Sequence, residues 1–214
     1  MRNKKKRLIA LLACVLAAAL CLGLGALGMR YWRYLQSKEA NRFRITNQED
    51  LTNLLYALKH PYIGRMPADL LQLLTKPKEL YVFGQQLHTR QEPYGLQLWY
   101  GTDEAGYQAF LSEPEKQAIF QKNALLLMAL IGNCDFVQYS IKWDDARIDY
   151  NNYGHSDFER MGQGGFTLTY DRDWADAAVG GDIKAVAETR ESFEAFLGSI
   201  DQLDLPAVPP ELLE

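Results

Sequence analysis

Cysteine is scarce in this chain. There are three in 214 residues, and Cys14 and Cys21 sit together in one apolar run near the start. Cys134 is alone in the rest, so no intramolecular disulfide can staple the domain. It falls between an apolar run and a strand-like stretch, where a buried, inert thiol is expected. Histidine is equally sparse. His60, His88 and His155 are too scattered for a zinc spacing, and no metal site is expected. Neither a Gly-x-Ser-x-Gly elbow nor a dinucleotide glycine pattern is present. Asp171, Asp173, Asp176 and Asp182 approach a calcium loop, but Ala175 and Asp182 stand where an oxygen ligand and a glutamate belong. The sequence therefore offers no catalytic residue, and it calls for no cofactor.

Basic residues are missing from most of the chain as well. Of 23 Lys and Arg, ten lie before Ile45; of 27 Asp and Glu, only Glu39 does. The remaining 170 residues carry 13 basic and 26 acidic side chains. A surface of that sign repels nucleic acid and anionic head groups, so no nucleic-acid partner is expected. The same excess serves solubility.

One stretch has no charge at all. Leu8 to Gly28 runs for 21 residues, with Leu8, Leu12, Leu16, Leu20 and Leu24 along it. About 20 apolar residues cross a bilayer as a helix. Arg2, Lys4, Lys5, Lys6 and Arg7 crowd its front end, which places the N-terminus in the cytoplasm by the positive-inside rule. Arg30, Arg33, Lys38, Arg42 and Arg44 follow it, and Tyr31, Trp32 and Tyr34 suit the head-group level. An uncleaved anchor is the favoured reading. Cleavage after Ala26-Leu27-Gly28, or acylation at Cys14 or Cys21, are the alternatives. The expected organisation is a basic cytoplasmic tail over 1–7, a transmembrane anchor over 8–28 and a basic, aromatic linker over 29–45. A domain over 46–204 and a Pro-rich tail over 205–214 complete it. The bilayer is then one partner, and the location is the cell membrane, single-pass, with the domain outside.

The domain has enough chain for a core of its own. Thr46 and Glu49 form a capping-box pattern before Leu51, Leu54, Leu55 and Leu58, one helical face. Pro61 stops that helix. A short helix follows Pro67, carrying Leu70, Leu71, Leu73 and Leu74. Leu80 to Thr89 and Leu96 to Tyr100 read as a hairpin across Glu92-Pro93-Tyr94-Gly95. Ser112 and Glu115 repeat the capping box and open a helix running to Gly132-Asn133. Its Ala124 to Ile131 section is apolar all round and should be the central buried helix. Val137, Tyr139, Ile141 and Trp143 alternate as a strand, as do Phe166, Leu168 and Tyr170. Arg172 to Val179 reads as a short helix. The last helix begins near Thr189, with Phe193, Phe196, Leu197, Ile200 and Leu203 on one stripe. The fold class is α+β, with an antiparallel sheet of about four strands covered by helices.

Three segments together resemble the family known as domain of unknown function 4825. They are Tyr62-Ile63-Gly64 after Asn53-Leu54-Leu55, then Pro93-Tyr94-Gly95-Leu96, then Asn123-Ala124-Leu125 through Ala129 to Asn133. They occur in the family's order, and the resemblance covers roughly Leu51 to Trp143. The family pattern has an acidic residue after the glycine of the first motif; this chain has Arg65. The resemblance implies a membrane-attached, extracytoplasmic domain of Gram-positive bacteria, sometimes joined to membrane regulatory modules. It implies no known activity and brings no catalytic residues.

Asp144 to Gly165 is the feature that invites function. Loops of that length are uncommon unless functional or disordered. Trp143, Tyr150, Asn152, Tyr153 and His155 are the candidate ligand-binding residues, since Tyr and Asn pair flat apolar area with hydrogen bonding. Phe158 and Trp174 are further ring candidates. The competing reading makes the rings anchors that pin the loop to the domain. The expected function is a non-catalytic sensor or binding module at the cell envelope, meeting an envelope ligand or a membrane partner protein. The alternative is an envelope hydrolase using Asp145, Asp149, His155 or Asp157 in that loop.

Overall fold

The computed structural model describes residues 46–74, 76–144, 155–161 and 164–205. The transmembrane expectation over 8–28 and the tail from 206 onward lie outside them. Among the described residues no helix is long and apolar enough to cross a membrane.

Helix α1 covers Gln48–Ala57 and α2 covers Ala68–Leu73. Strands β1 (Tyr81–His88) and β2 (Gly95–Thr102) follow. Two helices come next, α3 (Glu104–Ser112) and α4 (Pro114–Leu130), and then β3 (Phe136–Trp143). The later helices and strand are α5 (His155–Arg160), β4 (Gly164–Asp171), α6 (Arg172–Val179) and α7 (Arg190–Ser199). The α+β class holds.

The sheet is mixed, which corrects the antiparallel expectation. Its order is β1-β2-β3-β4. The β1–β2 and β3–β4 pairs are antiparallel, and the β2–β3 pair at the centre is parallel. The physical reason lies in the connection. A tight turn can return a strand antiparallel, whereas β2 and β3 are joined by α3 and α4, a crossover that brings the chain back in the same direction.

The helix layer packs on one face. Leu96, Leu98 and Tyr100 of β2, Val137, Tyr139 and Ile141 of β3, and Phe166, Leu168 and Tyr170 of β4 all point inward. Opposite them lies α4, with Phe120, Ala124, Leu125, Leu127, Met128 and Leu130 buried. Polar Gln117, Gln121 and Asn123 are buried on it too. The expectation of a central buried helix is met. The stripe on α7 is also buried at Phe193, Phe196, Leu197 and Ile200.

Two helix starts differ from expectation. At α1 the Asn47 side chain, not Thr46, accepts from the N–H of Asp50, and Asp50 reaches back to Thr46. The N-cap is displaced by one residue, and the Asp50 carboxylate accepts from the N–H and hydroxyl of Thr46, one residue before that cap. Ser112 does not cap α4. It is the last residue of α3 and donates its hydroxyl to Gln108 O. Glu113 holds the N-cap position of α4 with no side-chain cap, and Pro114 opens the helix, where the missing N–H costs nothing.

The three motif segments meet at the end of α4. His60 N–H donates to Leu130 O at 2.9 Å, and Gly132 N–H returns to His60 O at 2.8 Å. Asn133 Oδ1 accepts from Ile63 N–H at 2.6 Å. Asp135 and Tyr94 exchange two bonds: Tyr94 N–H to Asp135 Oδ2, and Asp135 N–H to Tyr94 O. Gly132 is needed here because a Cβ would stand 2.9 Å from Pro61 O. From the other side Lys184 Nζ donates to Met128 O, Ile131 O and Cys134 O, at 2.6, 2.8 and 2.8 Å. A helix leaves its last carbonyls unpaired, and a lysine supplies the donors.

Candidate functional site

The outer face of the sheet is the less covered one, and its side chains are mixed. Alternation turns Gln97 and Trp99 of β2, Ser140 and Lys142 of β3, and Thr167 of β4 away from the helix layer. Gln97 Nε2 donates to Ser140 Oγ at 3.0 Å, and Ser140 Oγ lies 3.1 Å from Thr167 Oγ1. One step along, Gln138 Nε2 donates to Thr169 Oγ1 at 3.0 Å. The result is a polar ladder across three strands.

Beside this ladder the face is aromatic. Phe83, Trp99, Phe158 and Met161 form a second buried cluster, separate from the main core. Phe158 of α5 stands 6.2 Å from both Phe83 and Trp99, ring to ring. Lys142 Nζ lies 4.8 Å over the Phe158 ring and donates to Phe158 O. Gly101 admits this packing, since a Cβ there would fall on the Phe83 ring. Thus α5 is pinned to the outer face by Phe158. Between it and the ladder is a recess of about 400 Å³, lined among others by Gln97, Trp99, Ser140, Lys142, Phe158 and Thr167. That is within the usual size range for a small-ligand site.

The predicted residues distribute unevenly. Trp143 ends β3 on the inner face, half-buried, with its ring 5.9 Å from Tyr107. It and Phe158 are on opposite faces of the sheet. Trp174 of α6 packs on Tyr170 at 4.6 Å, also against the main core. Tyr150, Asn152 and Tyr153 lie outside the described residues, and His155 opens α5. Sequence reasoning did not single out Gln97, Trp99, Ser140, Lys142 or Thr167. Their signal was the polar alternation of β2, β3 and β4, which marks a solvated face and says nothing of a recess.

A second recess, about 390 Å³, opens on the inner face at the β1 side. Leu71 and Leu74 wall it from α2, Val82 and Gln85 from β1, and Leu98, Tyr100 and Tyr139 from the sheet. Burial raises the phenols of Tyr100 and Tyr139 well above the ordinary tyrosine value. The hydroxyls of Tyr139 and Tyr170 have no hydrogen-bond partner among the described residues.

Other titrating groups are structural. Burial pushes the Cys134 thiol up to about 12, and Sγ lies 3.5 Å from Phe136 O. The expected burial of this thiol is what the fold holds. Asp176 and Asp182 are tied to Arg172, so two members of the acidic run serve ion pairs. Asp171 caps α6 by accepting from Trp174 N–H. Among the described residues no group of three or more His, Cys, Asp or Glu is placed to hold a metal.

Residues 55–153 match the family model described as Domain of unknown function (DUF4825), which bears out the resemblance carried by the three motif segments. No curated protein and no solved structure matches the chain.

Proposed function

We propose that this DUF4825-bearing chain is a non-catalytic binding module of a Gram-positive cell envelope, held at the outer side of the membrane by Leu8 to Gly28. The observation that carries the binding reading is the outer-face recess. Its described lining combines apolar residues with amide, hydroxyl and one ammonium, with Trp99, Met161 and Phe158 beside Gln97, Ser140 and Thr167. Rings give flat area at low entropic cost, and amides and hydroxyls orient a polar ligand. Acid–base chemistry would instead need a carboxylate or histidine within reach of the same space. Tyr150, Asn152, Tyr153 and His155, read from the sequence as ligand-binding, are proposed to serve the same binding function.

Two measurements test this. Reporters fused after Glu214 should be active when they need export and silent when they need the cytoplasm. The reverse pattern would put the domain inside and end the envelope reading. A panel of envelope sugar fragments and extended peptides should quench or shift tryptophan emission of the full chain, and Trp99→Phe should abolish the change. Release of cleaved products in the same panel would replace the binding module by the envelope hydrolase.

A further inference from the structure

The inner-face recess is a consequence of coverage. Helix α4 lies over the middle of the sheet, and α2, only six residues long, is left to shield the β1 side. It does so incompletely. Val82 is 37% exposed, one of two large apolar side chains in the described structure that are open to water. Behind it the cleft runs inward between Leu71 and Leu74 on one wall and Leu98 on the other, to Tyr100, Asn123 and Tyr139 at its inner end. Tyr139 is fully buried, and its hydroxyl finds no partner among the described residues. Buried phenols are normally hydrogen-bonded. Tyr139 closes the inner end of the cleft, and its hydroxyl is itself out of contact with water.

The charge at this cleft is of one sign. Lys76 lines it, and its ammonium donates to Leu80 O and lies 5.5 Å over the Tyr81 ring. An ammonium has three donors, so capacity remains after that contact. Lys76 is the only ionisable Lys, Arg, Asp or Glu in the described lining.

We propose that this cleft binds a single-chain anionic amphiphile. The aliphatic chain lies against Leu71, Leu74, Val82 and Leu98, and the head group meets Lys76 at the rim. A carboxylate carried inward to the tyrosines would be stripped of water with no cation beside it, which disfavours the opposite orientation. The volume suits one short chain. The site is on the other face of the sheet from the outer recess and stands independently of whether that recess binds.

The test uses the full chain in nanodiscs of zwitterionic phosphatidylcholine, with a decanoate carrying a diazirine near its methyl end. After illumination, cross-linked peptides are mapped. The expected result is saturable labelling of the segments around Leu71 and Leu98, competed by decanoate at least tenfold better than by decanol. Lys76→Gln should bring the two competitors close to parity. Leu98→Trp and Leu71→Trp, which fill the cleft from the sheet and from the rim, should both remove the labelling. Leu71→Trp leaves the sheet untouched, so a folding failure of the first variant does not decide the matter. Nanodiscs doped with a diazirine-bearing phosphatidylglycerol separate the sources: cleft labelling there means that a bilayer lipid supplies the chain. Labelling confined to the segment 8–28, or unsaturable, or unchanged in Leu71→Trp, would overturn the proposal.

Discussion

Lys184 shows how one side chain can set both the stability and the pH response of the fold. Its ammonium closes α4 by donating to three main-chain carbonyls. Lys184→Met would leave those carbonyls short of donors and should cost about 1–3 kcal/mol in denaturant melts. Burial also lowers its pKa from 10.5 to about 8. The unfolded chain then holds a proton more tightly than the folded one, so the penalty is full below about 8 and is relieved as pH rises towards 10.5. The buried tyrosines act with the opposite sign. Their pKa values are raised in the fold, so their contribution is full below the ordinary tyrosine value of 10 and fades above it. Stability should therefore climb from pH 8, pass a maximum near pH 9–10 and fall beyond it. Lys184→Met should flatten the climb and keep the fall. Tyr139→Phe removes a hydroxyl that has no partner among the described residues, and should cost under about 1 kcal/mol or stabilise the fold. None of this was visible in the sequence. Lys184 stands in Gly-Asp-Ile-Lys-Ala, a turn-like stretch, and its acceptors lie 50 to 56 residues away.

Helices were legible where apolar spacing was regular and obscure where it was not. The core run of α4 and the stripe of α7 follow from composition alone, because a helix apolar on that scale has to be covered. Leu127, fully buried, should cost about 2–5 kcal/mol when cut to Ala. Helix α3 was missed. Gly106 lowers its helical propensity, and the Ser-x-x-Glu pattern beginning at Ser112 suggested a start where a helix in fact ends. The true start is Asp103, whose carboxylate accepts from Gly106 N–H at 2.8 Å. The two readings separate by mutation. Asp103→Ala should cost about 0.5–2 kcal/mol, while Ser112→Ala should move the melt by no more than about 0.5 kcal/mol. Four-letter cap signatures recur by chance, and only the hydrogen bond distinguishes a cap from a coincidence.

At the scale of the whole molecule, the strands and their inward residues could be read, but their pairing could not. Alternation says which side chains face the core; it does not say which strand lies alongside. The clue to the parallel centre was present in the long helical stretch between Thr102 and Phe136, since parallel neighbours need such a connection. The outer recess was beyond reach for a similar reason. Gln97, Ser140 and Thr167 come from three strands and become one surface only through the register.

That parallel seam sets the order in which the domain can assemble. The sheet is two antiparallel pairs joined edge to edge, β1–β2 and β3–β4; the first closes over the few residues from His88 to Gly95, the second over the stretch from Trp143 to Gly164 that carries α5. The seam between them closes only after α3 and α4 have been made, at the entropic cost of a longer loop. Until then β2, a strand buried almost throughout, presents an apolar and unpaired edge. A chain truncated after Asn133 should accordingly be recovered in detergent-insoluble aggregates while the full chain is extracted by mild detergent, as measured by sedimentation of the extracts after expression. If the domain is passed across a membrane in chain order behind an anchor at 8–28, β2 emerges before the strand that protects it. The interval between those two events is then the most vulnerable moment in its biosynthesis, and a holding chaperone on the far side would act on that exposed edge.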